Sequence, residues 1–115
     1  MMKQLTACAL LLLVSGCAIT TPVAVVSKDG IMRGTATATL SGGSFRVSDD
    51  KKVCTGSYDS LDTNPTISMV VQCDDGKKGI AIVTRDRSGL SGHGRVRLND
   101  GTEADLIFGD AAAGL

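Results

Sequence analysis

Polar and apolar residues alternate in short runs from Arg33 onward. GTATATL sets Ala36, Ala38 and Leu40 on one face and threonines on the other. SFRVS brings Phe45 and Val47 together. TISMVVQC aligns Ile67, Met69, Val71 and Cys73. GRVRLN aligns Val96 with Leu98, and EADLIFG aligns Ala104, Leu106 and Phe108. VCTGSY is less regular, with Val53 and Cys54 near its core end. IAIVTR is apolar on both faces, as a covered central strand would be. A period of two marks half-buried strands, and no helical period interrupts it. SGG, DDKK, DDGKKG, DRSGLSG and NDG punctuate the runs as turns, with SLDTNP as a longer loop.

The pattern predicts about seven short strands. Short connections force antiparallel neighbours. A small antiparallel meander hides its edges by closing into a barrel or folding into a sandwich. The expected fold class is therefore all-β, a small antiparallel barrel or sandwich over residues 34–109. Residues 17–33 read as an open tether rich in Thr, Pro and Ser, although 23–26 could pair as a short strand. Residues 110–115, DAAAGL, read as a fraying tail. Fourteen glycines read as turn and bulge positions, because no G-x-G-x-x-G or P-loop spacing opens a helix.

One hairpin can be assigned a register. If Asn99, Asp100 and Gly101 form a three-residue loop with Gly101 left-handed, Val96 faces Ala104 on the core side. Arg97 then faces Glu103, and Arg95 faces Asp105, on the outer side. Both pairs are favourable across a ladder. A one-residue slip would mix the two faces.

The start of the chain carries a different signal. In MMKQLTACALLLLVSGC, Lys3 precedes an apolar run over residues 5–14. The run is far shorter than the about 20 residues of a membrane-spanning helix, and it ends in small residues, as a secretory signal does. Val14-Ser15-Gly16-Cys17 resembles the lipobox of bacterial lipoproteins. The resemblance implies cleavage of the signal (residues 1–16), acylation of Cys17 and anchoring in the cell envelope. Ala18 in place of Asp points to the outer membrane, with the domain facing the periplasm.

That address orders the cysteines. Cys8 leaves with the signal and Cys17 carries lipid. Cys54 and Cys73 remain as an even pair in an oxidising compartment, which makes a disulfide the expected state. A redox pair would favour C-x-x-C spacing, and a zinc site would need two further ligands, where only His93 is on offer.

Charge and composition narrow the function. Twelve basic side chains balance twelve acidic ones, so no bulk field draws nucleic acid. Phe45, Tyr58 and Phe108 are the only aromatics, too few for a stacking surface. No metal or cofactor is expected. His93 lies between two glycines with no nucleophile-elbow sequence, so no catalytic residue is expected. Asp74-Asp75-Gly76 and Asn99-Asp100-Gly101 lack the calcium-loop pattern and read as turns. The candidate interaction surface is Arg85 and Arg87, which lack the cross-strand acids of Arg95 and Arg97 and have Lys77 and Lys78 as candidate neighbours. Tyr58, Asp59 and Asp62 of the YDSLDTNP loop join them.

CTGSY, CDDGKKG and SGLSGHGRVRLNDGTEADLIFG together resemble small, uncharacterised Gly-rich lipoproteins of proteobacteria. The resemblance implies a disulfide-linked β-domain and assigns no activity. Small lipoprotein inhibitors of lysozyme share the size, anchor and fold class, but Thr55-Gly56-Ser57-Tyr58 is one residue short of their S-G-x-x-Y signature. The leading expectation is a non-enzymatic envelope lipoprotein, a structural or interaction module that meets the membrane through lipid and an envelope protein or glycan through its domain. The alternatives are an inhibitor of a periplasmic or host hydrolase acting through YDSLDTNP, and then a hydrolase using His93.

Overall fold

A computed structural model describes residues 18–115. Cys17 and the signal segment lie outside the described residues. Eight antiparallel strands follow one another around a closed barrel. They are β1 (Ile19–Ser27), β2 (Gly30–Thr39), β3 (Gly42–Ser48), β4 (Val53–Tyr58), β5 (Thr66–Cys73), β6 (Lys78–Arg85), β7 (Gly92–Leu98) and β8 (Glu103–Phe108), and a one-turn helix α1 (Asp110–Ala113) follows. The all-β antiparallel expectation holds, and the architecture is a barrel.

The eighth strand comes from the segment expected to be a tether. β1 pairs with β2 from Ile19↔Ala38 to Ser27↔Gly30, and with β8 from Val23↔Phe108 to Val26↔Asp105. Without it, β2 and β8 would each expose a free edge. Pro22 is tolerated because a strand position can dispense with one N–H, while its carbonyl accepts from the Gly109 N–H at 2.9 Å. The tail is ordered too. Helix α1 packs against β1 and β8, and its Ala112 is buried. Ala24, which faces outward from β1, is fully covered. Arg33 donates from Nε and Nη2 to the Leu115 carbonyl at 3.1 and 2.7 Å.

The interior follows the alternation. Val23, Met32, Phe45, Val47, Ile67, Met69, Val71, Val83, Val96, Leu98 and Leu106 form one buried cluster. Three expectations about faces need correction. Leu40 occupies the β2–β3 turn and is exposed, because β2 ends at Thr39. Ile80 and Ile82 point outward, as does Val70, because no second layer covers the barrel wall. Several glycines are not turn residues. At Gly56, on β4, a Cβ would lie 2.0 Å from Cε1 of Phe45, so the bare backbone there makes room for the ring. At Gly94, on β7, a Cβ would lie 2.0 Å from the Ile82 carbonyl oxygen, a close approach between strands that sharpens the coil of the wall.

Cys54 and Cys73 form a disulfide, with Cα atoms 4.0 Å apart at directly opposed positions of β4 and β5. The β7–β8 register is Arg95↔Asp105, Val96↔Ala104 and Arg97↔Glu103, with Gly101 at φ 88°, as the charge pattern predicts. Arg95 bonds Asp105 and, diagonally, Glu103, both at 2.8 Å. Arg97 bonds Glu103 at 2.5 Å. The ladder is neutralised on the outer wall.

Candidate functional site: the open end of the barrel

The two ends of the barrel differ. At one end Cys54, Cys73, Val71, Leu98 and Met32 leave a void of only about 70 Å³. At the other, a cavity of about 240 Å³ opens between the start of β1 and the β2–β3, β4–β5 and β6–β7 connections. Phe45 lines both spaces and forms the floor between them. An eight-stranded barrel is just wide enough for side chains to fill it. The cavity exists because Thr21, Ala36 and Ala38 are small where the walls converge on it, while Gly43 and Gly92, on the inward phase of their strands, make room for the rings of Tyr58 and Phe108.

Its lining is mostly apolar: Val23, Ile67, Met69, Leu106 and Phe108. Polar groups enter near the mouth. Tyr58 shares the inward phase of Cys54 and Gly56, and its ring lies across Gly43, where a Cβ would fall 2.3 Å from the ring carbon Cζ. Burial pushes the phenol pKa above its ordinary value, and the charge of Arg85 pulls it part of the way back. Arg85 shares the inward phase of Ala81 and Val83 at the end of β6. Its Nη2 donates to the Asp62 carbonyl at 2.7 Å and to the Asn64 carbonyl. Among the described residues no carboxylate lies within 4 Å of it. The guanidinium is thus held by neutral acceptors at the lip of an apolar space, with its charge uncompensated.

The 59–65 loop is built around that contact. Asp59 accepts from the Leu61 N–H at 2.9 Å, and Asp62 from the Asn64 N–H at 2.9 Å. Ser60 donates to the Thr39 carbonyl across the mouth. These Asx turns account for both acids locally. The 86–91 loop is organised by Asp86, which accepts from Ser88 at 2.6 Å and also from Ser91; the two hydroxyls hold its carboxyl below the ordinary range.

The structure thus distributes the expected interaction residues. Arg85 and Tyr58 line the cavity, Asp59 and Asp62 shape its rim, and Arg87 is exposed in the 86–91 loop outside the lining. Lys77 and Lys78 are not their neighbours. They lie at the opposite end, where Lys77 pairs with Asp100 at 3.0 Å. His93 is exposed on the outer wall, opposite Thr84 and Ile107, away from the cavity. The cavity itself is missed by a reading strand by strand. The phase of Arg85 with Ala81 and Val83 is the signal that places a cation inside. Among the described residues no group of three or more His, Cys, Asp or Glu side chains could hold a metal, and no helix is long and apolar enough to cross a membrane.

No protein-family model matches the chain, and no curated protein is matched by its sequence. Among solved structures, the chain is similar to a de novo designed fluorescence-activating β-barrel. The TM-score is 0.57 at 21% identity, covering 77% of this chain and 88% of that one. At that identity the likeness establishes the fold: a closed β-barrel, the class of protein to which this chain belongs by architecture.

Proposed function

We propose that this chain is a non-enzymatic lipoprotein of the cell envelope, anchored through Cys17, whose barrel binds a small, largely apolar molecule bearing an anionic group. One observation carries the reading: an apolar cavity of about 240 Å³ with the uncompensated Arg85 guanidinium at its mouth. Ligand sites are concave and mostly apolar, with a few convergent polar groups that fix orientation. The volume lies below the roughly 300–1,000 Å³ of drug-sized pockets, so the ligand is smaller than a drug, or only part of it enters. A carboxylate or similar anion meets Arg85, which gains a charge-assisted hydrogen bond without giving up an ion pair. The apolar remainder lies over Phe45 and Met69. The lipobox at Val14-Ser15-Gly16-Cys17 supports the anchor.

Tyr58 is the only tyrosine, and the chain has no Trp, so intrinsic emission reports on the cavity alone. Titration with decanoate should change Tyr58 emission saturably, whereas decylamine should not. Arg85→Gln should weaken decanoate binding by roughly 10- to 100-fold, the worth of a hydrogen bond to a charged group. Equal binding of decanoate and decylamine, or an unchanged affinity in Arg85→Gln, would refute the reading.

A further inference from the structure

Among the described residues eight large apolar side chains are exposed: Val70, Ile80 and Ile82 lie on the β5–β6 wall, Leu115 ends the chain, and the other four gather at one end of the barrel. Ile19, Leu40, Leu61 and Leu90 are 53, 74, 62 and 48% exposed. Ile19 begins β1, Leu40 is in the β2–β3 turn, Leu61 in the β4–β5 loop and Leu90 in the β6–β7 loop. In an up-and-down meander these four positions share one end, and it is the end where the cavity opens. Ile19 and Leu90 also line that cavity. The start of β1 and the β2–β3, β4–β5 and β6–β7 connections therefore each present one large aliphatic side chain to solvent.

The opposite end presents none. Its four turns carry Lys28, Asp49, Lys51, Asp74, Lys77 and Asp100, all polar. A ring of aliphatic residues at one end and charge at the other is a polarity along the barrel axis. Exposed apolar groups clustered this way mark an interaction surface.

Two further observations name the occupant. Ile19 follows Cys17 by two residues, a reach of about 7 Å even fully extended. A lipid on Cys17 cannot lie far from this rim. Second, the charged groups around the mouth, Arg85 and Arg87 against Asp59, Asp62, Asp86 and Asp110, are of mixed sign and do not build a field of one sign. The surface fits a medium that takes up aliphatic side chains without demanding charge complementarity.

We propose that the barrel docks end-on to the lipid bilayer, with Leu40, Leu61, Leu90 and Ile19 dipping into the interfacial region and the cavity mouth facing the lipid. The anchor part of this inference rests on the lipoprotein reading above; the apolar ring is independent of it. In this orientation the cavity exchanges its ligand with the membrane. The charged turns project away from it, and the neutralised Arg95–Asp105 and Arg97–Glu103 ladder runs up the side.

The test uses the protein purified from membranes with its anchor. It is placed in phosphatidylethanolamine vesicles with a minority of phosphatidylglycerol and a phospholipid carrying a photoactivatable acyl chain. After irradiation, modified peptides are located by mass spectrometry. Lipid cross-links should concentrate on residues 39–42, 59–65 and 86–91, about tenfold above the 28–30, 49–52, 74–77 and 99–102 turns, because contact follows the buried apolar area. The pattern should persist in high salt, since screening weakens only charge-driven contact. Leu40→Ser, Leu61→Ser and Leu90→Ser combined should lower rim cross-linking about tenfold, with the disulfide and thermal midpoint kept, because all three side chains are exposed. Cross-links spread evenly over the barrel, or centred on the Val70, Ile80 and Ile82 wall, would overturn the proposal, as would full labelling of the triple variant. The mass of the N-terminal peptide separates the two readings. Rim labelling with an unacylated Cys17 refutes the anchor and supports the docking; an acylated Cys17 without rim labelling does the reverse.

Discussion

Reduction of the Cys54–Cys73 disulfide should destabilise the barrel by about 3 kcal/mol and loosen one seam before the others. The seam is identified by its pairing. β4 and β5 are matched over only four positions, from Cys54↔Cys73 to Ser57↔Val70; β1 and β8 are matched over four as well, but helix α1 packs on both of those strands, and β5 and β6 are matched from Thr66↔Thr84 to Gln72↔Lys78. The 59–65 loop holds one end of the seam, and the disulfide closes the other. Opening the bridge frees a loop with a sequence separation of 19. In the chain-entropy treatment that releases roughly 11 cal/mol/K to the unfolded chain, or about 3 kcal/mol at 25 °C. For the 98 residues from Ala18 to Leu115, an unfolding entropy of about 2.1 cal/mol/K per residue gives roughly 0.2 kcal/mol/K overall. The thermal midpoint should fall by about 15 °C.

Reduction leaves two thiols of nearly the same volume inside the barrel, where free cysteine behaves as a small apolar residue. Packing loss is therefore a minor part of the change. The assay is a thermal melt by circular dichroism with and without a phosphine reductant, paired with native-state hydrogen exchange. Amides of Gly56, Ser57, Val70 and Val71 should lose protection first, ahead of those shared by β6 and β7. A midpoint that moves by less than about 5 °C, or protection lost evenly around the barrel, would refute both the loop-entropy reasoning and the thin-seam assignment.

Two other outcomes follow from particular contacts. Gly56→Ala places a methyl 2.0 Å from the Phe45 ring, and Phe45 is buried as the cavity floor. The overpacking should cost about 1–3 kcal/mol, read as a lower urea midpoint at unchanged slope. Acid should destabilise the protein. The carboxyl of Asp49 is held below its ordinary value by the Lys51 and Lys52 N–H groups, that of Asp100 by Thr102 and then Lys77, and that of Glu103 by Arg97 and then Arg95. A carboxyl whose folded-state pKa is depressed contributes stability that is complete above its unfolded value of about 4 and is lost as pH falls through the folded value. The thermal midpoint should therefore drop below about pH 4, and drop less in Asp100→Asn; a midpoint flat across that range would contradict the assignment.

What was legible in the chain depended on how local the deciding contacts are. The β7–β8 hairpin could be set to the residue because its turn, its core pairs and its charge pairs are all within a few residues. The disulfide could be read because the expected compartment, with Cys8 and Cys17 set aside, left one pair. β1 could not be read as a barrel strand. Its Thr-rich, Pro-containing start has weak strand character, and its value lies in closing a ring whose other edge, β8, is some eighty residues away. The same distance hides the packing of helix α1 against β1. Arg85 was visible as a cation without a cross-strand acid, but its place inside followed only from closure, which turns a shared phase with Ala81 and Val83 into a shared cavity. Ile80 and Ile82 misled because a strand apolar on both faces normally has a layer on each side, and a barrel wall has only one.

The division of the interior explains why one small barrel can be both stable and hollow. Below the Phe45 floor, the disulfide, Met32, Val71 and Leu98 fill the cross-section, and the polar turns at that end satisfy themselves through Asx contacts. Above the floor, Thr21, Ala36 and Ala38 are too small to meet across the barrel, and Gly43 and Gly92 give their space to the Tyr58 and Phe108 rings. The residues that break local expectation are gathered here: an inward cation, solvent-facing leucines at loop tips and a half-buried phenol. Such departures concentrate where a protein gives up stability for a task. Filling this layer should separate the two properties. Ala38→Leu, directed into the open space rather than into the packed half, should leave the fold intact, raise or preserve the thermal midpoint, and abolish decanoate binding. The same substitution would unfold the barrel if the upper half were core.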